Sequence, residues 1–261
     1  AVQELLGADI AMAFDECAPY PSDRPYALAA MERTHRWAER SLRAHKRAEQ
    51  VLFGIVQGAT YPDLRRASAR FIGGLGFDGI AVGGLSVGEP KETMLAMLEE
   101  TIPLLPADKP RYLMGVGTTE DLLEGVARGV DMFDCVLPTR VARNGALFTR
   151  RGRLNVRNAA FRAVDGPIEA GCDCYTCRTF SMAYVHHLFR AEELLSYRLA
   201  TIHNLRFMQR LMEDVRRAIL DGTFPAFKAE FLAGYATVDE QVRAEQRAKW
   251  LKRQTSKQRR G

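Results

Sequence analysis

Residues 51–58 read VLFGIVQG and residues 79–85 read GIAVGGL. Each is a short, almost unbroken apolar run that stops at a polar residue or at glycines. A strand covered on both faces needs such a sequence, because neither side of its pleat meets water. Runs of the same kind recur as IAMAFDE at 10–16, YLMGVG at 112–117 and MFDCVLP at 132–138. Between them lie helical patterns. Residues 25–49 set Leu28, Met31, Trp37, Ala38 and Leu42 among charged positions, Pro62 stands where a first helical turn accepts proline, and Thr118 followed by Asp121 resembles a capping box. The pattern predicts an α/β chain with five βα units up to about residue 140. Repeated βα units build either a doubly wound sheet or a (βα)8 barrel, and both place chemistry at the carboxyl ends of the strands. Five strands cannot close an eight-stranded barrel, and the opening VQELLGA reads as the tail of a helix. The alternatives are an open sheet and a barrel whose first part is absent.

The predicted strand ends are chemically rich. They carry Asp15 and Glu16, Gln57, the Gly83-Gly84-Leu85 turn, Gly115 and Gly117, and Asp134. Asp134, in GVDMFDCVLPTR, follows a buried strand, where a carboxylate must be hydrogen-bonded, neutralised or functional. Either it forms a structural ion pair with Arg140 or Arg143, or it is a nucleophile or base. Asp131 belongs to the turn entering the strand. Asp15 either caps the loop after its strand or joins the site. Gln57 offers a side-chain amide that can read a planar heterocycle, and the glycines of AVGGLSVGE leave backbone groups open to close approach.

After residue 140 the pattern changes. GALFTRRGRLNVRN at 145–158 has the form of a hairpin, helical patterns follow near 179–195 and 202–221, and GCDCYTCR lies at 171–178. Cys172, Cys174 and Cys177 have knuckle spacing, C-x-C-x-x-C, which lets three thiolates converge on one ion. Zn2+ requires a fourth ligand, for which the downstream histidines are His186, His187 and His203. Spacing favours His203, which opens the second helical pattern. Four protein ligands would close the coordination sphere and make the metal structural.

At 261 residues and 47% hydrophobic, the chain can bury a sizeable core. No run approaches the ~18 apolar residues of a membrane span, and the first residues lack a secretory pattern. With two further cysteines, Cys17 and Cys135, far from the cluster, a cytoplasmic metalloprotein without membrane association is expected. Of the net charge of +5, residues 239–261 supply the whole, with eight Lys/Arg against three Asp/Glu. The rest is formally neutral, yet Cys135–Val164 holds seven arginines, from Arg140 and Arg143 to Arg162, and no acid. An acid-free arginine run is the footprint expected for phosphate contacts. The expected domains are 1–145, 146–235 as a zinc-binding subdomain with returning helices, and 236–261 as a basic polar tail.

Taken in order, FDEC, GIVQG, VGGLSVGE, YLMGVG, DMFDCVLPTR, RNG and CDCYTC followed by TIHN resemble the bacterial tRNA-guanine transglycosylase family over about residues 1–235. The resemblance implies a (βα)8 barrel lacking about its first three strands, with a zinc-binding helical subdomain. It implies exchange of the wobble guanine of GUN-anticodon tRNAs for a 7-deazaguanine, a step of queuosine biosynthesis. Asp134 would be the nucleophile. Asp15, Gln57, Gly84 and Leu85 would hold the purine, Met114 would form its apolar wall, and Arg140 and Arg143 would contact the RNA. Cys172, Cys174, Cys177 and His203 would hold one structural zinc, which selects among the histidines. Val87 resembles the bacterial form and favours 7-aminomethyl-7-deazaguanine as the incoming base, and Thr118 stands where many bacterial members carry lysine. Family members are often homodimers. The segment bearing a second acid/base Asp has no counterpart here, so little exchange by this chain alone is expected. The alternative is a non-catalytic zinc-stabilised tRNA-binding subunit, against which the joint presence of Asp134, Asp15 and Gln57 argues; an unrelated sugar-phosphate barrel enzyme is a weaker third reading.

Overall fold

The structure is a computed structural model that describes residues 2–236, and these fall into two compact units that divide between Val136 and Leu137. The first unit opens with the short helix α1 (Val2–Leu6) and then alternates β1 (Ile10–Met12), α2 (Arg24–Ala44), β2 (Val51–Val56), α3 (Pro62–Gly73), β3 (Gly79–Val82), α4 (Lys91–Thr101), β4 (Arg111–Leu113), α5 (Thr119–Ala127) and β5 (Met132–Phe133). The five expected strands are all present. The helix expected over 25–49 ends at Ala44, after which no hydrophobic stripe continues.

All five strands are parallel, and their order across the sheet is their order in the sequence. That order decides between the two architectures. A doubly wound sheet reverses direction part-way, which sends its helices to both faces. Here every right-handed crossover steps the same way, so the connecting helices share one face, as in an arc of a (βα)8 barrel. On that face Leu52, Val56, Ile80, Val82 and Leu113 pack with Ile72, Met94, Leu98 and Ile102 of the helical layer. On the opposite face Gly79 lies directly across from Phe53. A Cβ at Gly79 would come within 2.3 Å of the Phe53 ring, so the strand keeps glycine there to seat it.

Local chemistry sets the helix ends. Asp23 caps α2 by accepting from the Tyr26 N–H at 2.8 Å. Thr118 caps α5, its hydroxyl accepting from the Asp121 N–H and donating to the Asp121 carboxylate. Pro62 occupies the first turn of α3.

The second unit begins with α6 (Leu137–Arg143), followed by the antiparallel hairpin β6 (Ala146–Thr149) and β7 (Gly152–Asn155). Then come α7 (Tyr175–Thr179), α8 (Met182–Arg190), α9 (Leu194–Leu220) and α10 (Phe224–Gly234). Ala142, Leu147, Val156, Val185, Phe189 and Leu199 belong to its core. The helix α6, which the sequence reading grouped with residues 1–145, packs on α9. The fully buried Asn204 of α9 explains this grouping. Its amide donates to the carbonyls of Pro138 and Ala146, both at 3.0 Å, and its oxygen accepts from the Phe148 N–H. One side chain thus satisfies backbone groups of α6 and of β6. Three helices are not anticipated by the sequence: α6 and α7 are short, and α10 carries its apolar residues all round rather than in a stripe. The basic tail, after Ala236, lies outside the described residues.

Candidate functional site

In the first unit the polar residues expected at strand ends do come together. Asp15 follows β1 and Gln57 follows β2, and the Gln57 amide donates to the Asp15 carboxylate at 2.7 Å. Asp15 is therefore not a simple loop cap. Burial pushes its carboxyl above the ordinary range, and the Gln57 bond only partly offsets this. Gln57 is 1% exposed and its Oε1 has no hydrogen-bond partner. The reason it can lie there is Gly84, after β3. A Cβ on Gly84 would sit 2.2 Å from Gln57 Oε1, and its φ of +66° is one that few side chains adopt. Leu85 is buried beside this turn and Met114, after β4, is half-buried.

Asp134 is exposed at the end of β5. Its Oδ1 accepts from the Tyr112 hydroxyl at 2.7 Å and from the Gly115 N–H at 2.8 Å. Within the first unit no cation among the described residues pairs with it. Among the described residues Oδ2 accepts no hydrogen bond. One oxygen is held and the other is open, an arrangement that orients a carboxylate for attack. Tyr112, shielded by burial and tied to this carboxylate, is held firmly protonated and so remains a donor. Asp131, by contrast, accepts from the Arg111 N–H at 2.8 Å at the entrance to β5, as its turn position implied.

Sequence reading missed Tyr112 and Arg65. Tyr112 stands at the head of the apolar run YLMGVG, where nothing local marks its hydroxyl as a donor to Asp134. Arg65 left a signal: it lies on the buried face of α3 with Leu64, Ser68, Ala69 and Ile72, where a cation is out of place. Glu89 was missed too; its carboxylate accepts from the Ser86 and Val87 N–H groups and pins the turn that carries Val87.

The second unit holds the metal-type cluster. Cys174 caps α7 and its sulfur accepts from the Cys177 N–H at 3.3 Å, while Cys172 precedes it and His203 reaches in from α9. The four ligand atoms lie within 4.8 Å of one another. His203 Nδ1 is 3.7, 3.7 and 3.4 Å from the sulfurs of Cys172, Cys174 and Cys177. Tetrahedral bonds of normal length around zinc place such S and N atoms about 3.6 Å apart. His203 Nε2 contacts the Phe148 carbonyl at 2.8 Å, which puts the hydrogen on Nε2 and turns the Nδ1 lone pair to the thiols. His186 instead bonds the Val156 carbonyl and His187 is exposed. Hydrogen bonds from Cys174 and Cys177 drive the Cys172 thiol far down, while the same crowding drives Cys177 far up. Sulfurs packed this closely cannot all keep protons, and a divalent cation removes the conflict. The cluster therefore fits a metal ion of zinc type.

The arginine run is divided by the fold. Arg140 and Arg143 are exposed on α6 without an ion pair among the described residues. Arg150 is paired with Asp214 of α9, so part of the acid-free run is neutralised by residues distant in sequence. Arg157 stacks over the Phe189 ring and donates to its carbonyl at 2.9 Å. With Arg162 and Arg190 it lines a basic cavity of about 580 Å³.

No helix of the described residues is long and apolar enough to cross a membrane. A family model described as queuine tRNA-ribosyltransferase matches residues 1–237. The queuine tRNA-ribosyltransferase of Herpetosiphon aurantiacus is 62% identical over 247 residues, 95% of this chain and 63% of its own length. That of Dehalococcoides mccartyi is 57% identical over 249 residues, covering 95% and 64%, and that of Symbiobacterium thermophilum 59% over 249 residues, covering 94% and 62%. The chain thus spans less than two thirds of the length of these relatives. With the parallel strand-end carboxylates and the Cys3His cluster in place, the match over nearly all of the described residues shows that the chain belongs to the queuine tRNA-ribosyltransferase family.

Proposed function

We propose that this chain carries the base-exchange site of a tRNA-guanine transglycosylase, built on an arc of a (βα)8 barrel. The observation that carries the reading is Asp134, with Oδ1 held by Tyr112 and Gly115 and Oδ2 open. A carboxylate so placed attacks the ribose C1′ of the wobble nucleotide through an oxocarbenium-like transition state. Guanine leaves, and the C1′–Oδ2 bond forms. The incoming 7-deazaguanine, with 7-aminomethyl-7-deazaguanine favoured by Val87, then displaces Asp134, and two displacements preserve the anomeric configuration. Asp15, Gln57, Gly84 and Leu85 hold the base and Met114 packs against it. The donor–acceptor pair of Gln57 and Asp15 supports this, since a flat heterocycle matches both.

The substrate is the anticodon loop of GUN tRNAs, with the base extruded from its stack, and Arg140 and Arg143 contact its phosphates. Zn2+, held by Cys172, Cys174, Cys177 and His203, supplies folding energy to the second unit and takes no part in the exchange. We place the protein in the cytoplasm and expect a homodimer.

The test is covalent capture. The chain is incubated with a GUN anticodon stem-loop and 7-aminomethyl-7-deazaguanine or guanine, then denatured. An RNA–protein adduct present in the unmodified chain and absent in Asp134→Asn supports the reading. RNA binding with equal adduct formation in both would overturn it, and RNA binding with no adduct in either would favour the non-catalytic subunit.

A further inference from the structure

Arg65 is fully buried and hydrogen-bonds no carboxylate among the described residues; Glu89 acts on it only through space. Its guanidinium is instead surrounded by backbone carbonyls. Nε donates to Ala59 at 2.7 Å, Nη1 to Gly83 at 2.7 Å and, more weakly, to Val56 at 3.4 Å, and Nη2 to Gly84 at 3.0 Å. A buried charge is costly, and arginine is retained in such a place when its planar fork satisfies several acceptors at once. Burial lowers its pKa to about 10, so it stays protonated at neutral pH.

The consequence lies on the other side of the turn. In a trans peptide the C=O and N–H point in opposite directions. Because Arg65 draws the Gly83 and Gly84 carbonyls towards itself, the N–H groups of Gly84 and Leu85 must point away from it. The Leu85 N–H donates to no group among the described residues. The Gly84 N–H meets the Cys17 sulfur, a weak acceptor, and no backbone oxygen among the described residues. Gln57 stands against the same turn, and its Nε2 is already engaged by Asp15.

We infer that Arg65 is a positioning residue that aims the Gly84 and Leu85 N–H groups at an acceptor oxygen on the edge of the bound base, selecting a 6-keto purine over one without that oxygen. This inference rests on the proposed base-exchange site and adds the source of its selectivity. The fork matters as well as the charge, since lysine has one ammonium and cannot hold carbonyls on two sides in a fixed plane.

The experiment compares binding of guanine with binding of 2-aminopurine, which lacks the 6-keto oxygen, to the intact chain and to Arg65→Lys and Arg65→Gln. The intact chain should favour guanine by about tenfold or more, the effect of one or two well-aimed hydrogen bonds. Both variants should lose most of that preference, while their affinity for 2-aminopurine changes less than about threefold. A merely structural role would weaken both ligands alike, and unchanged preference in Arg65→Lys would overturn the inference. Because a buried arginine is replaced, the variants can fail to fold, so a second measurement uses the unaltered chain. The amide proton and nitrogen shifts of Gly84 and Leu85 should move with guanine and not with 2-aminopurine; guanine binding that moves neither would overturn the inference. If the unaltered chain binds no guanine at all, the proposed function fails first, which separates the two outcomes.

Discussion

The cluster around His203 and the cluster around Asp134 are both polar groups gathered on apolar scaffolds, yet one is closed and the other open. At the Cys3His cluster every donor atom points inward, and the remaining imidazole nitrogen is fixed by the Phe148 carbonyl. At the strand ends Asp134 keeps an oxygen free, and Gln57 Oε1 is buried without a partner. A closed set lowers the free energy of the fold, whereas an open set leaves interactions for a ligand to complete. The difference teaches where stability and chemistry reside in this chain.

Breaking the closed cluster should have the largest effect. Cys177→Ser, or removal of metal with a strong chelator, should abolish the cooperative unfolding of the second unit, a loss of several kcal/mol or more. Calorimetry with metal analysis checks it, starting from about one zinc per chain; a second unit that melts unchanged without metal would remove the closed half of the contrast. Next, Asp134→Asn should abolish the covalent RNA–protein adduct while leaving the melting temperature within about 2 °C. The amide oxygen can still accept from Tyr112 and Gly115, so the fold loses little. Tyr112→Phe sharpens the point, since it removes one of the two bonds holding Oδ1 and should slow adduct formation about tenfold and cost ~1 kcal/mol in stability.

A smaller effect separates the units by pH. His35 of α2 stacks on Phe71 and contacts the Ser68 hydroxyl at 3.0 Å, and that hydroxyl also accepts from the Gln57 N–H. Burial lowers the His35 pKa from 6.5 to about 4. Between these values the unfolded chain binds a proton that the folded chain refuses. Stability is therefore complete above pH 6.5 and lost as pH falls towards 4. Discounted for partial exposure, the loss is on the order of 1–2 kcal/mol. His35→Gln should flatten the acid limb of the first unit's denaturant midpoint. Smallest, Thr118→Ala should cost about 1 kcal/mol through the lost cap of α5, read from the same midpoint, with the metal content unchanged.

How much was legible follows from the range of the interactions. The five strands, the hairpin, the caps at Pro62 and Thr118 and the three cysteines are written in stretches of a few residues, because periodicity, turn chemistry and knuckle spacing act locally. The helices α6, α7 and α10 were not legible, since the first two are too short for a period to register and the third has no polar face. The acid-free arginine run overstated free charge, because Asp214 lies far from Arg150 in sequence.

The sequence by itself determined the residue types at the strand ends, Asp15, Gln57, Gly84 and Asp134, and the metal-binding character of Cys172, Cys174 and Cys177. Tertiary structure decided which groups meet: His203 rather than its neighbours at the thiols, Tyr112 and the Gly115 N–H on Asp134, and backbone carbonyls as the hydrogen-bond acceptors of Arg65. The physical reason is that a buried polar group takes whichever partner the packed backbone brings within about 3 Å, and that partner is set by strand order and helix packing over tens of residues.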